Sequence, residues 1–177
     1  MLPRILLTSF DIWKPHHITN ASDDLLAELL VRNHITENMH LIRKLPVDFE
    51  LAPQQVIAKM NDWQPDIVIC CGMAEKRSHL SLEANGKQAE QTLHTSISLH
   101  ALLEPLSGTV LSHDAGKFVC NHLYYAVLKY IQDHDLTTQC LFVHVPILQE
   151  ENLDLILADF TFLLQTFQSK QGHRAAP

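Results

Sequence analysis

The chain has 177 residues, 46% of them hydrophobic and 19% charged, with a formal net charge of −7. That balance is the one expected of a soluble globular domain with a core of its own, and it excludes disordered, collagen-like and membrane-spanning classes. The acidic charge argues against nucleic acid or an anionic membrane as a partner, because phosphate recognition needs a basic face.

The opening Met1-Leu-Pro-Arg-Ile-Leu-Leu-Thr-Ser9 reads as a lead-in to a first strand over Arg4 to Ser9. It lacks the basic flank, long apolar core and cleavage site of a signal peptide. A polar, proline-bearing loop follows from Phe10 to Ser22. Ser22 or Asn20 can cap a helix whose Leu25, Leu26, Leu29 and Leu30 make one apolar face. Met39 to Leu45 reads as a second strand, ended by Pro46. Phe49 to Met60 reads as a helix with Pro53 in its first turn. Asp66 to Cys71 is a β-branched run suited to a central strand, with Gly72 at its carboxyl end.

Further on, His79 to Asn85 alternates as a strand does, with Leu80 and Leu82 against Ser81 and Glu83. Gln88 to Pro105 has no clear periodicity beyond a short helix around Ser98 to Leu103. Thr109 to Ser112 reads as a short strand that leads into a helix ending near His134. Cys140 to Val145 is the last strand, and Glu150 to Gln168 the last amphipathic helix. The pattern predicts one α/β domain over residues 1–170, a three-layer α/β/α sandwich with an open, largely parallel twisted sheet. Residues 171–177 read as a frayed tail.

Four cysteines without framework spacing point to free thiols in a reducing compartment, so a cytoplasmic location is expected. Twelve histidines raise the question of a metal. His16 and His17 are adjacent and the others scattered, with no i, i+4 pair beside a glutamate and no zinc-module spacing, so no metal site is expected.

In an open α/β sheet, chemistry gathers at the carboxyl ends of the strands. The loop after Phe10, the stretch Gly72 to Arg77 and His144 at the end of the last strand all fall there. Cys120 lies in the first turns of its helix, where the peptide dipoles favour thiolate over thiol. A nucleophilic thiol needs a base in reach and an acid to orient that base. Cys120, His144 and Glu83 are the residues chosen for these roles.

Two motifs carry a resemblance. Asp114-Ala-Gly-Lys-Phe-Val-Cys-Asn-His-Leu-Tyr-Tyr125 resembles the cysteine motif of the pyroglutamyl peptidase I family, and Phe142-Val-His-Val-Pro146 resembles its histidine motif. Leu45-Pro-Val-Asp-Phe49, Pro65-Asp-Ile-Val-Ile69 before Gly72-Met-Ala-Glu-Lys-Arg77, and Ile5-Leu-Leu-Thr-Ser-Phe10 with Trp13 agree in order along the chain. The resemblance implies a cysteine exopeptidase that removes an amino-terminal pyroglutamate from peptides, with Cys120 as nucleophile, His144 as base and Glu83 as the orienting acid. It further implies aromatic walls for the lactam ring at Phe10 and Trp13, and backbone contacts to the ring amide near Met73 and Val119. No metal or organic cofactor is implied, and homo-oligomers are common in the family.

The chain departs from the family pattern in several places. The segment between Glu83 and Cys120 is shorter. Ser9 and Lys14-Pro15 stand where glycines are usual, and Trp13 replaces a phenylalanine. Glu75-Lys76 stand where small residues are usual, Ala84 replaces an arginine, and Gln88 appears where an asparagine is usual. These departures lie around the substrate, and they keep open a related hydrolase for another amide or acyl group. A catalytically silent binding protein is the third reading.

Overall fold

The apolar runs that carry no polar alternation form the middle of a six-stranded sheet. The structure, a computed structural model, describes residues 2–169, and the expected tail over 171–177 lies outside them. In chain order the elements are β1 (Ile5–Phe10), α1 (Ala21–Val31), β2 (Met39–Leu45), α2 (Leu51–Trp63), β3 (Ile67–Met73), β4 (Leu80–Glu83), β5 (Asn85–Gln88) and β6 (Gln91–His94). They continue with α3 (Leu99–Leu103), β7 (Thr109–Ser112), α4 (Val119–Asp133), β8 (Gln139–Val145) and α5 (Glu150–Ser169).

The sheet order is β2-β1-β3-β8-β4-β7. All neighbours run parallel except β4, which is antiparallel to β8. Strands β1 and β3 are buried almost throughout, because helices cover both faces. Helices α1, α3 and α5 pack on one face through Leu25, Leu26, Leu102, Phe160 and Leu164. Helices α2 and α4 pack on the other through Val56, Met60, Leu123, Tyr124 and Val127. The expected α/β fold with an open, mostly parallel sheet is therefore the observed one.

Paired polar groups tie the helices of this frame to its strands. Asn20 caps α1 by accepting from the Ser22 amide. Asp23, buried in the first turn, accepts from Ser9 Oγ and from both Nε and Nη2 of Arg43, so α1 is tied to β1 and β2. Asp159 on α5 accepts from the Gly108 amide and from Thr109 Oγ1, which holds the edge strand β7.

A two-stranded hairpin, β5–β6, stands apart from the main sheet, and only its second strand falls wholly within the segment without clear periodicity. It lies on α4. Asn121 grips the Lys87 backbone from both sides, accepting from its amide at 2.8 Å and donating to its carbonyl at 2.7 Å. A side chain at Gly86 would put its Cβ 2.7 Å from the Tyr125 amide nitrogen, so only glycine lets the strand approach the helix this closely.

Candidate active site

Cys120 of α4 and Phe142 of β8 crowd one glycine whose register partner is His144. Gly72, near the end of β3, is the register partner of His144 on β8. Side chains of alternate residues share a face, and Cys70 and Phe142, two positions before Gly72 and His144, both pack in the α4 layer. Gly72 and His144 therefore point to the same layer. A Cβ at Gly72 would lie 2.6 Å from Cys120 Sγ and 2.8 Å from Phe142 Cζ. The sulfur fills the space that the missing side chain leaves, and Phe142 packs against the His144 ring with centroids 4.9 Å apart.

Glu83 ends β4, the strand next to β8. Its side chain is fully buried, and Oε1 accepts from His144 Nδ1 at 2.6 Å. A carboxylate only accepts, so Nδ1 carries a proton. Burial alone would raise the Glu83 carboxyl. The hydrogen bond and charge of His144, with the nearby Ser112 and Arg77 side chains, outweigh it and hold the group below the usual carboxylate range. The Tyr124 hydroxyl donates to the Glu83 carbonyl at 2.9 Å, so the helix bearing Cys120 also fixes the strand bearing the acid.

Cys120 is the second residue of α4 and half-buried. Phe118 caps the helix without a side-chain hydrogen bond, which leaves amide N–H groups free at its mouth. Burial opposes the expected pull of the helix dipole toward thiolate. Burial first, and then the neighbouring Cys70 and the Glu83 charge, push the thiol up to about 12, against smaller pulls from its own amide and from Arg77. Desolvation outweighs the helix dipole here. Burial thus favours the neutral thiol at Cys120.

Arg77 was not among the residues the sequence singled out for a role. Its Nη1 donates to Glu83 Oε1 at 2.6 Å, and its Nη2 to the Asp114 carbonyl at 2.8 Å and to Ser112 Oγ at 3.3 Å. It therefore links the acid to the loop that feeds the Cys120 helix. The available signal was a basic residue on the turn after a central strand, close in sequence to Glu83.

The residues expected to contact substrate lie in different surroundings. Phe10 is 2% exposed and packs in the core between β1, α2 and α4. Trp13 is 44% exposed and lies against Phe118, the residue that caps α4, with ring centroids 4.7 Å apart. Phe49 meets the other side of Phe118 at 5.6 Å. Val119 is buried at the first position of α4. The Met73 side chain packs in the opposite layer, where its sulfur accepts from the Ala21 amide.

Known proteins share this fold. A family model described as pyroglutamyl peptidase matches residues 86–159. The pyrrolidone-carboxylate peptidase of Brachyspira hyodysenteriae is 28% identical, over 85% of this chain and 87% of its own. That of Thermoanaerobacter sp. is also 28% identical, over 85% and 86%. Among solved structures, pyroglutamyl peptidase I from Bacillus amyloliquefaciens has a TM-score of 0.79 at 22% identity and covers 96% of both chains. Pyrrolidone carboxyl peptidase from Thermococcus litoralis has a TM-score of 0.78 at 15% identity, over 94% of this chain and 93% of that one. The structural likeness at these identities speaks for the fold. No helix among the described residues is long and apolar enough to cross a membrane.

Proposed function

From a chain that is a distant homologue of the pyroglutamyl peptidase family over most of its length, we propose a cysteine peptidase that removes amino-terminal pyroglutamate from peptides. Cys120 is the nucleophile, His144 the base and Glu83 the acid that orients it. One observation carries this reading: the buried Glu83 holds His144 by Nδ1, while Cys120 Sγ lies against Gly72, the register partner of that histidine.

With the thiol pushed up to about 12, attack begins from the neutral form. The Cys120 proton passes to His144 Nε2 as Sγ bonds to the carbonyl carbon of the pyroglutamyl residue. The oxyanion is stabilised by free amides at the start of α4. The carbon–nitrogen bond then breaks, and the His144 proton leaves with the peptide amine. Water, deprotonated by His144, adds to the thioester, and pyroglutamate departs as Cys120 recovers its proton. Glu83 stays ionised throughout and compensates the imidazolium charge.

Trp13 and Phe118 form an apolar rim at the mouth of α4, suited to a flat uncharged ring. On this reading, backbone groups near Met73 and Val119 bind the ring amide. Phe10, buried in the core, has almost no surface for that ring, and this favours as a second reading a hydrolase whose acyl pocket is built mainly from Trp13 and Phe118. A cytoplasmic location and a homo-oligomer belong to the proposal as well; light scattering on the purified protein tests the latter.

The test is release of a fluorescent amine from a pyroglutamyl amide, with an alanyl amide as control. We expect turnover of the pyroglutamyl compound alone, falling more than about a thousandfold in Cys120→Ala. Turnover unchanged in that variant overturns the assignment of the nucleophile. Equal turnover of both amides overturns the assignment of the substrate.

A further inference from the structure

We propose that His16, His17 and Glu75 form a site for a zinc-class divalent cation that clasps the β1–α1 loop to the turn after β3. Their ligand atoms all lie within 4.8 Å of one another. Both imidazoles converge on one carboxylate oxygen: His17 Nε2 is 2.6 Å and His16 Nε2 3.9 Å from Glu75 Oε2. Donors bound tetrahedrally at about 2.0 Å from zinc are roughly 3.3 Å apart, and the two observed separations bracket that value. Small shifts of the rings complete the geometry. His16 is free to make them, since its side chain is 67% exposed.

The donor set is chemically selective. Two imidazoles and one carboxylate suit zinc, cobalt or nickel, whereas calcium and magnesium ask for oxygen ligands. His17 is not an ordinary surface histidine. Its side chain is only 8% exposed, and its Nδ1 is buried without a hydrogen-bond partner. The ring is held by Glu75 and by an edge contact with Trp13. The three residues line a cavity of about 480 Å³ with Asp24, Met73 and Leu148, which leaves room for a water or a ligand group on the cation.

One feature opposes the cation. Lys14 Nζ donates to Glu75 Oε1 at 2.7 Å and neutralises the carboxylate. A cation on Oε2 feels that ammonium at close range, so Lys14 sets the affinity and must swing aside for tight binding. The clasp joins the loop that carries Trp13 to the turn that carries Arg77. Sequence spacing does not reveal it, because Glu75 lies 58 residues beyond His17 and reaches it only through the parallel pairing of β1 and β3.

The experiment titrates the full, untagged chain carrying Cys120→Ala with Zn2+ by calorimetry and with Co2+ by visible absorption. We expect one tight equivalent, weakened at least about tenfold by His17→Ala and by Glu75→Gln, and tightened by Lys14→Met. The cobalt spectrum should lack a thiolate charge-transfer band. Isotherms that coincide for the Cys120→Ala protein with and without His17→Ala overturn the site, as does a thiolate band, which would place the metal on cysteine.

Discussion

Glu83 Oε1 receives two donors at 2.6 Å, His144 Nδ1 and Arg77 Nη1, so the histidine is oriented by an acid that is itself held from the other side. On the proposed reading, Glu83→Gln keeps the shape but loses the charge that compensates the imidazolium, and kcat should fall roughly a hundredfold or more with the fold intact by circular dichroism. The same substitution has a signature in stability. The folded Glu83 carboxyl lies below its ordinary value of 4.5, so its contribution is present above that pH and is lost as pH falls through the folded value. Urea midpoints of the wild type should therefore drop on acidification more steeply than those of Glu83→Gln. Cys120 works at the other end. Its thiol is raised from 9.0 to about 12, so its contribution is full below about pH 9 and is lost as pH rises through 12. Cys120→Ala should flatten part of the alkaline loss of stability; identical alkaline slopes in the two proteins would contradict the buried neutral thiol. The order of the Cys120 and His144 motifs along the chain was readable in the sequence. The protonation state of the thiol was not, because it depends on Cys70, Glu83 and the packing around Gly72, which only the folded sheet brings together.

At the level of elements, α4 organises the site from its first two turns. Val119 buries, Cys120 faces Gly72, Asn121 grips β5, and Tyr124 holds the end of β4. Gly72→Ala should cost about 1–3 kcal/mol through overpacking and also displace the sulfur, so both Tm and kcat should fall. Gly86→Ala meets the Tyr125 backbone instead, and it should lower Tm with a much smaller effect on kcat, because the clash lies a full turn beyond Cys120. If the two variants lose activity in proportion to stability alone, the close contact between Gly72 and the thiol has no chemical role. The long apolar strands and the amphipathic helices were legible, with β2 and β7 at their expected bounds and the others shifted at their ends by a few residues. The β5–β6 hairpin was not. Asn-Gly-Lys-Gln and Gln-Thr-Leu-His carry little alternation of their own, and the hairpin is held by Asn121 and by the room above Gly86.

Across the whole molecule, the parallel sheet places the ends of β1, β3 and β8 side by side, with β4 inserted antiparallel so that Glu83, the register partner of Phe142, reaches diagonally to His144 Nδ1. Residues at strand ends were readable as candidates, since the sheet topology dictates where such ends gather. Arg77 and the His16, His17 and Glu75 group depend on turns folding back over those ends, and no local pattern encodes that return. The most direct measurement for the central claim is mass spectrometry of the protein after rapid acid quench during turnover of a pyroglutamyl ester, followed by peptide mapping. The account predicts a pyroglutamyl adduct on Cys120 that appears in the wild type, accumulates in Glu83→Gln if hydrolysis of the thioester is the slower step, and is absent in Cys120→Ala. Turnover with no adduct on any cysteine, or with the adduct on Cys70, Cys71 or Cys140, would contradict it.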